Sequence, residues 1–182
     1  MRKFEVISKY LNDNIELPIR STQKSAGYDL KAAEDIIIPS YPKIIYQRMA
    51  DIFQQGIGEL NYQEMLIKQF GIKPILVPTG LKIQLNDYDE LELRSRSSIA
   101  TKNLIMLANS VGTIDADYYN NEDNEGHIMV PMINLSPFDV IIKKGDKIAQ
   151  ALIKNYYTID DEKTNQIARN GGFGSTDKES DN

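Results

Sequence analysis

The sequence has no cysteine, no tryptophan and a single histidine among its 182 residues. Without cysteine there is no disulfide framework and no thiolate metal site, and His127 alone cannot build a histidine metal cage. Any metal ion would therefore be a hard cation bound by oxygen atoms, many of them supplied by a substrate. We assign His127 no catalytic role and predict a surface or turn position for it beside Gly126.

Long apolar runs and an excess of positive charge are also missing. No run of apolar residues reaches the length of a membrane span, and Met1-Arg2-Lys3 leads into strand-like sequence rather than a signal-peptide core. These features predict a cytoplasmic protein. The formal net charge of -5 argues against a nucleic-acid partner, because such partners are bound through a broad cationic face.

What the chain does contain is many short strand-like segments with Gly, Pro, Asn and Asp between them. Their β-branched content and partial alternation predict strands at residues 4–7, 35–38, 75–85, 90–94, 104–107, 128–135, 139–142 and 147–153. The chain length suits one domain with a real core. Short strands at this turn-rich spacing predict an all-β barrel or jelly roll.

One stretch, at about residues 42–71, departs from the strand pattern. Its apolar residues recur at helical spacing in two groups separated by Gly56, and Asn61 with Glu64 resembles a capping box for the second group. We predict a helical hairpin inserted into the β domain. Its surface either packs on the outside of the β domain or contacts another protein chain.

The C-terminal stretch Arg169-Asn-Gly-Gly-Phe-Gly-Ser-Thr176 has the composition of a segment that closes over a phosphorylated ligand. Glycines let backbone N–H groups converge on an anion, while arginine and hydroxyl groups supply donors for phosphate. The alternative is a flexible chain end.

Four further polar clusters each allow a structural and a functional interpretation. Asp29 follows a small-residue turn, which also suits a helix cap or an Asx turn. The run Arg94–Ser98 could bind phosphates or lie exposed as a basic turn. Asp115 and Asp117 lie on one face of an extended segment, as a general base or magnesium pair would, or form a turn. The run Gly145–Gln150 first suggests a hairpin into a strand, with Gln150 polar in an apolar run.

In order and spacing, these clusters resemble the five motifs of the homotrimeric dUTPases (dUTP diphosphatases). The matching segments are AGYDL, RSRSS, NSVGTIDADYY, GDKIAQ and RNGGFGST. The resemblance covers the whole chain except the helical insert and the last few residues. It implies a jelly roll that assembles into a three-fold trimer, with active sites at subunit junctions. It also implies a β domain over residues 1–168 and a nucleotide-closing arm with a polar tail over 169–182.

The resemblance implies a reaction and a role for each matched residue. Water attacks the α-phosphorus of dUTP to give dUMP and pyrophosphate, Mg²⁺ bridges the phosphates, and Asp115 orients and deprotonates the water. Asp29 would hold a metal-bound water or help to orient the Asp115 region. The residues implied in substrate binding are Arg96, Ser97, Ser98 and Gln150 at the phosphates, Asn109 at the uracil, Tyr118 under the deoxyribose, and Arg169, Phe173, Gly174, Ser175 and Thr176 in the closing arm.

The chain also departs from the family pattern. The fifth motif is one residue shorter than usual between Arg169 and Phe173, and Asp177 follows the Ser-Thr pair where glycine is common. The turn at 119–126 is longer than usual, and its composition predicts a solvated acidic loop.

Two other functions remain as alternatives. dCTP deaminases share the fold but need a glutamate where this chain has Pro131, which cannot move a proton, so deamination is disfavoured. A non-catalytic or dual regulatory role, with a partner bound at the insert, is the alternative of a different class.

Overall fold

The computed structural model describes residues 1–55 and 73–160, and within these ranges eleven strands form four antiparallel sheets. β1 (Lys3–Val6) pairs with β5 (Leu81–Gln84), and β3 (Ile36–Ile38) pairs with β10 (Val140–Ile142). The largest sheet has the order β2 (Tyr28–Lys31), β11 (Lys147–Asn155), β6 (Asp89–Ser95) and β8 (Val111–Asp115). The last has the order β4 (Ile75–Pro78), β9 (Met129–Asn134) and β7 (Ile105–Leu107).

One hydrophobic core joins all four sheets. The buried members alternate along β5 and β6, so that one face of each strand packs inward and the other carries polar side chains. Fully or almost fully buried side chains come from every sheet, among them Leu81 of β5, Ile38 of β3, Leu91 of β6 and Val130 of β9. This arrangement is that of a jelly-roll β fold, as the sequence predicts.

Two α-helices lie within the described ranges, α1 (Tyr41–Gln55) and α2 (Ser97–Asn103). The Ser40 hydroxyl accepts a hydrogen bond from the Lys43 N–H at 3.1 Å and so caps the start of α1. The first helix of the predicted hairpin is confirmed, and the remainder, residues 56–71, lies outside the described residues. Neither helix is long and apolar enough to cross a membrane.

Three details of the strand prediction need correction. The predicted strand 75–85 is two strands, β4 and β5, because the chain turns at Gly80 with φ +72°. The AGYDL segment continues from its turn directly into β2, and the RSRSS segment continues into α2. Both were predicted only as turns, because four to seven residues carry too little periodicity to separate a turn from the element that follows.

His127 is buried, with only 8% of its surface exposed, so the prediction of a surface position is wrong. Its Nε2 accepts a hydrogen bond from the Gly80 N–H at 3.0 Å, which requires the neutral ring, and the ring contacts that of Tyr10. Burial lowers the pKa of His127 to about 4, with a further contribution from the Lys9 charge and an opposing one from Glu125. The imidazole is a neutral structural acceptor.

We therefore expect the folded state to lose stability as the pH falls from about 6.5 to about 4. In that window the unfolded histidine binds a proton and the folded one does not, so acid favours the unfolded chain. The full effect is about 3 kcal/mol, following about 1.4 kcal/mol per unit of pKa difference. Urea unfolding at several pH values would measure it.

The His127→Gln variant is the matched comparison for this experiment. Carboxylates also titrate at low pH, but they do so in both proteins, and the difference between the two slopes isolates the histidine. We expect the variant to be less stable at neutral pH and to show a shallower slope between pH 6.5 and 4. Equal slopes would show that His127 is protonated in the folded protein.

Candidate active site

The four-stranded sheet carries three of the described candidate residues, Asp29, Gln150 and Asp115, on one face. Asp29 of β2 lies opposite Gln150 of β11, which lies opposite Arg94 of β6, which lies opposite Val111 of β8. Residues that are paired in this way across antiparallel strands point to the same side of a sheet. At the other end of β8, Asp115 lies opposite Glu90 and therefore belongs to a different row of the same face.

Asp29 is the centre of a polar cluster at the β2 end of that face. Its carboxylate lies 2.7 Å from Lys147 Nζ and 3.2 Å from Arg96 Nε. It also accepts hydrogen bonds from Ser21 Oγ at 2.6 Å and from Gln150 Nε2 at 3.4 Å. Only 4% of Asp29 is exposed. One buried carboxylate thus fixes the ends of four side chains.

Electrostatics keep Asp29 ionised. Burial acts to raise the pKa of its carboxyl, but hydrogen bonds from Lys147 and Ser21 and the charges of Arg96 and Lys147 outweigh it, so the pKa lies below its usual value. The carboxylate therefore remains a fixed negative charge at neutral pH. It can orient cationic and amide donors, while the positive charges beside it remain partly exposed.

Lys147 belongs to this cluster although no pattern in the sequence predicts a role for it. Lys147 and Gln150 are three residues apart, so a regular strand would direct them to opposite faces. The pairing of β11 with β2 shifts between Lys147 and Ala149, which is a β-bulge, and both side chains reach Asp29. Strand alternation in the sequence contains no signal of this bulge. Gly27 allows the close packing, since a Cβ there would lie 3.3 Å from Gln150 Cβ.

The second motif lies next to this cluster. Arg96 precedes α2 in an extended conformation, and its side chain is 25% exposed beside Asp29. Ser97 and Ser98 form the first turn of α2 and are exposed to solvent. The structure thus brings Asp29, Arg96 and Gln150 together and leaves the two serine hydroxyls accessible beside them.

Asp115 lies at the end of β8 and is exposed. It borders a cavity that is also lined by Asp87, Asp117 and Tyr156. The cationic cluster around Asp29 does not line this cavity. Within one protomer the candidate base therefore has acidic and aromatic neighbours.

The sheet register shows how far apart the two groups are. From Val111 to Asp115 the chain runs roughly 13 Å along β8, and the three strand spacings from β2 to β8 add roughly 14 Å across the sheet. Asp115 and Asp29 are therefore separated by roughly 20 Å within one protomer. Neither carboxylate side chain is long enough to bridge that distance.

The two candidates for uracil and sugar contacts lie on either side of Asp115 along the chain. Asn109 is exposed in the turn before β8, and a Cβ at Gly112 would lie 3.2 Å from its Nδ2. Tyr118 ends a short 3₁₀ turn after Asp115 and is only 6% exposed. Its hydroxyl donates to the His127 carbonyl and accepts from Asn124 Nδ2, so a ligand would meet the ring rather than the hydroxyl.

The remaining candidates, Arg169, Phe173, Gly174, Ser175 and Thr176, lie outside the described residues. Among the residues at 1–55 and 73–160, no group of three or more His, Asp or Glu side chains is arranged to hold a metal ion. Asp29, the candidate for contact with Mg²⁺, already pairs with two cations. The donor set therefore fits an ion that arrives with a phosphorylated substrate, touched through water, better than a resident ion.

Fold and motif positions together define a jelly-roll β protein with a cationic cluster and a separate carboxylate on one sheet face. Comparison with known proteins gives the family. The dUTPase family model matches residues 61–177. The chain is 38% identical over 177 residues to the deoxyuridine 5'-triphosphate nucleotidohydrolase of Lactococcus lactis, and the match covers 97% of both chains. The chain therefore belongs to the dUTPase family.

Solved structures agree with this assignment. The crystal structure of the dUTPase from Streptococcus mutans superposes with a TM-score of 0.66 at 35% identity, covering 87% of this chain and 98% of that one. The dUTPase from phage phi11 of S. aureus superposes with a TM-score of 0.61, covering 92% of this chain and 97% of that one. At 16% identity the phage protein supports the fold alone.

Proposed function

We propose that this protein hydrolyses dUTP to dUMP and pyrophosphate. The observation that carries the proposal is the 38% identity, over 97% of both chains, with a protein named deoxyuridine 5'-triphosphate nucleotidohydrolase. The geometry of the described site is compatible with it, since a cluster of cations and hydroxyls suits a phosphate chain and an accessible carboxylate suits a general base.

In the reaction that we propose, Asp115 accepts a proton from water as the water oxygen bonds to the α-phosphorus. The bond from that phosphorus to the bridging oxygen of the β-phosphate breaks, and pyrophosphate leaves with the electron pair. The Asp115 carboxylate needs only correct positioning at the attacking water to act as the base.

The cluster around Asp29 would bind the phosphates. Arg96 and the hydroxyls of Ser97 and Ser98 offer charged and neutral donors to the oxygens around the scissile bond, and Gln150 offers its amide near the α-phosphate. Asp29 holds Arg96 and Gln150 in place and would reach a magnesium ion only through a water. Magnesium bound to the triphosphate would neutralise charge that develops on the leaving pyrophosphate.

A complete site would need more than one copy of the chain. Since Asp115 and Asp29 are roughly 20 Å apart in one protomer, we propose that Asp115 of one subunit meets the Asp29 cluster of another in a homotrimer. Single protomers also leave apolar surface uncovered: Ile37 and Ile141, paired across β3 and β10, are 58% and 56% exposed. Burial of such pairs would stabilise the assembly.

The nucleoside end would be recognised by shape and by the closing arm. Asn109 would contact the uracil and the Tyr118 ring would lie under the deoxyribose, where a ribose 2′-hydroxyl has no partner. In the arm at 169–182, Arg169, Ser175 and Thr176 would bind the γ-phosphate, while Phe173 and Gly174 cover the base. We propose that the protein acts in the cytoplasm, where it would encounter a nucleoside triphosphate substrate.

The alternatives gain no support. Pro131, which stands where a deaminase needs its glutamate, is buried in β9 and pairs with Leu76 of β4. Proline has no group that can move the proton that deamination requires. A partner bound at the helical insert stays a prediction.

A comparison of four nucleotides as substrates tests the proposal directly. Pyrophosphate release would be measured with Mg²⁺ and dUTP, dCTP, dTTP or UTP as the only nucleotide. We expect release from dUTP and much less from UTP, because the Tyr118 ring would leave a ribose 2′-hydroxyl without a partner. Ammonia release from dCTP would indicate a deaminase instead, and no reaction with any nucleotide would leave a binding role.

A further inference from the structure

The long turn at residues 119–126 is folded into a compact structure rather than a solvated loop. Glu122 and Asp123 at its tip are exposed, but only 7% of Asn121 is. The Asn121 Oδ1 accepts the N–H groups of Asp123 and Asn124, both at 3.1 Å. The Asn120 N–H donates to the Glu125 carbonyl at 3.2 Å and closes the turn across its base.

This turn holds Tyr118 from both ends of the residue. At the backbone, Asn121 Nδ2 donates to the Tyr118 carbonyl at 2.9 Å. At the side chain, Asn124 Nδ2 donates to the Tyr118 hydroxyl at 2.8 Å, and that hydroxyl donates to the His127 carbonyl at 3.2 Å. The two asparagines are themselves joined, Nδ2 of Asn121 to Oδ1 of Asn124, at 2.9 Å.

Further contacts anchor this turn to β5, to β1 and to Ser8, which follows β1. Glu125 accepts hydrogen bonds from the Ser8 N–H at 3.2 Å and the Ser8 hydroxyl at 3.0 Å. Lys82 of β5 donates to the Asn120 side chain at 2.6 Å. The Tyr119 hydroxyl donates to Glu5 of β1. These contacts hold the outer edge of the turn against the strands, so the positions of the two asparagines are fixed.

We propose that this turn is a bracket that fixes the Tyr118 ring and thereby sets the preference for deoxyribose over ribose. Asn121 and Asn124 are positioning residues: they act through Tyr118 and touch no substrate. The proposal rests on the proposed dUTP hydrolysis. A ring that excludes a 2′-hydroxyl by shape must be held in place, because a ring that can shift by a fraction of an ångström admits the larger sugar.

The test compares Tyr118→Phe, Asn124→Leu and the double variant, with kcat and KM measured for both dUTP and UTP. Tyr118→Phe keeps the ring but removes the hydroxyl that the bracket holds. We expect each single variant to shift the ratio of kcat/KM for UTP to that for dUTP upward by about fivefold, the effect of one hydrogen bond. The double variant should shift it by less than the two single effects combined, because the two changes share the contact between Asn124 and the Tyr118 hydroxyl.

Glu122→Gln is the matched control, since its exposed side chain lies at the tip of the same turn, away from the asparagines that hold Tyr118. It should leave the ratio and the melting temperature unchanged. Additive effects of Tyr118→Phe and Asn124→Leu, or an unchanged ratio in either, would overturn the bracket while leaving the proposed function intact. Wild-type protein that does not hydrolyse dUTP would overturn the proposed function instead.

Discussion

We expect Asp115→Asn to reduce the rate of pyrophosphate release from dUTP by about 100- to 10,000-fold, the usual contribution of a general base. Asparagine has nearly the shape of aspartate but cannot accept the proton of the attacking water. Nucleotide affinity should change little, because the cluster around Asp29, which we propose to bind the phosphates, lies elsewhere on the sheet. Single-turnover rates and binding of a non-hydrolysable dUTP analogue would separate the two effects.

Mixing two inactive variants extends this test to the shared site. Arg96→Ala should also be inactive, because it removes a guanidinium group that we propose to contact the phosphates. If one subunit supplies Asp115 and another supplies Arg96, refolding equal amounts of Asp115→Asn and Arg96→Ala chains together should restore about a quarter of the wild-type activity. Chains refolded separately serve as the control. No recovery in the mixture would mean that one subunit provides both residues. That result would contradict the shared site inferred from the distance between Asp115 and the Asp29 cluster in one protomer.

The second large effect concerns Gly126, which closes the bracket turn. Its φ is +78°, and a Cβ there would lie only 2.6 Å from the Tyr118 carbonyl oxygen and 3.0 Å from Tyr119 Cα. Gly126→Ala combines an unfavourable backbone conformation with a backbone clash, so we expect a loss of about 3 kcal/mol or more. The melting temperature should fall by about 6–12 °C, and the UTP to dUTP ratio should rise because Tyr118 is displaced.

Gly145→Ala provides the matched control for Gly126→Ala. Gly145 has a similar φ of +88°, but nothing lies within 4 Å of a Cβ at that position. Gly145→Ala should therefore lower the stability only through the unfavourable backbone conformation, by about 1 kcal/mol. The reduced entropy of the unfolded chain partly offsets this loss. Equal effects of the two substitutions would show that the turn yields to the added methyl group and is not a rigid bracket.

The sequence was informative wherever periodicity extends over several residues. The alternating strand β6 was predictable, because its apolar residues face the core at every second position. The first helix of the insert was predictable because its apolar residues recur at helical spacing, although Ile45, Met49 and Phe53 remain exposed in the protomer. The jelly-roll prediction and the family are confirmed. The break at Gly80 was not predictable, since a glycine between two apolar stretches is compatible with a continuous strand as well as with a turn.

Some features of the candidate site were also predictable and others were not. The sequence identifies Asp29, Asp115 and Gln150 as candidate site residues, because each lies in a recognisable polar cluster. That Lys147 joins Asp29 depends on a β-bulge, and that Asn124 holds Tyr118 depends on a folded turn. The bulge and the folded turn each depend on the local backbone conformation. The pattern of apolar and polar residues along the sequence carries no signal of either.

The sequence by itself determined the all-β class, the family and the chemical groups available for the reaction, because these follow from composition and motif order. Only the tertiary structure decided which groups share a location. Strand pairing separates Asp115 from Asp29 by roughly 20 Å within one protomer, and close packing buries the one histidine beside Gly80. Distances and burial depend on how all strands pack together, and that packing is a property of the whole fold.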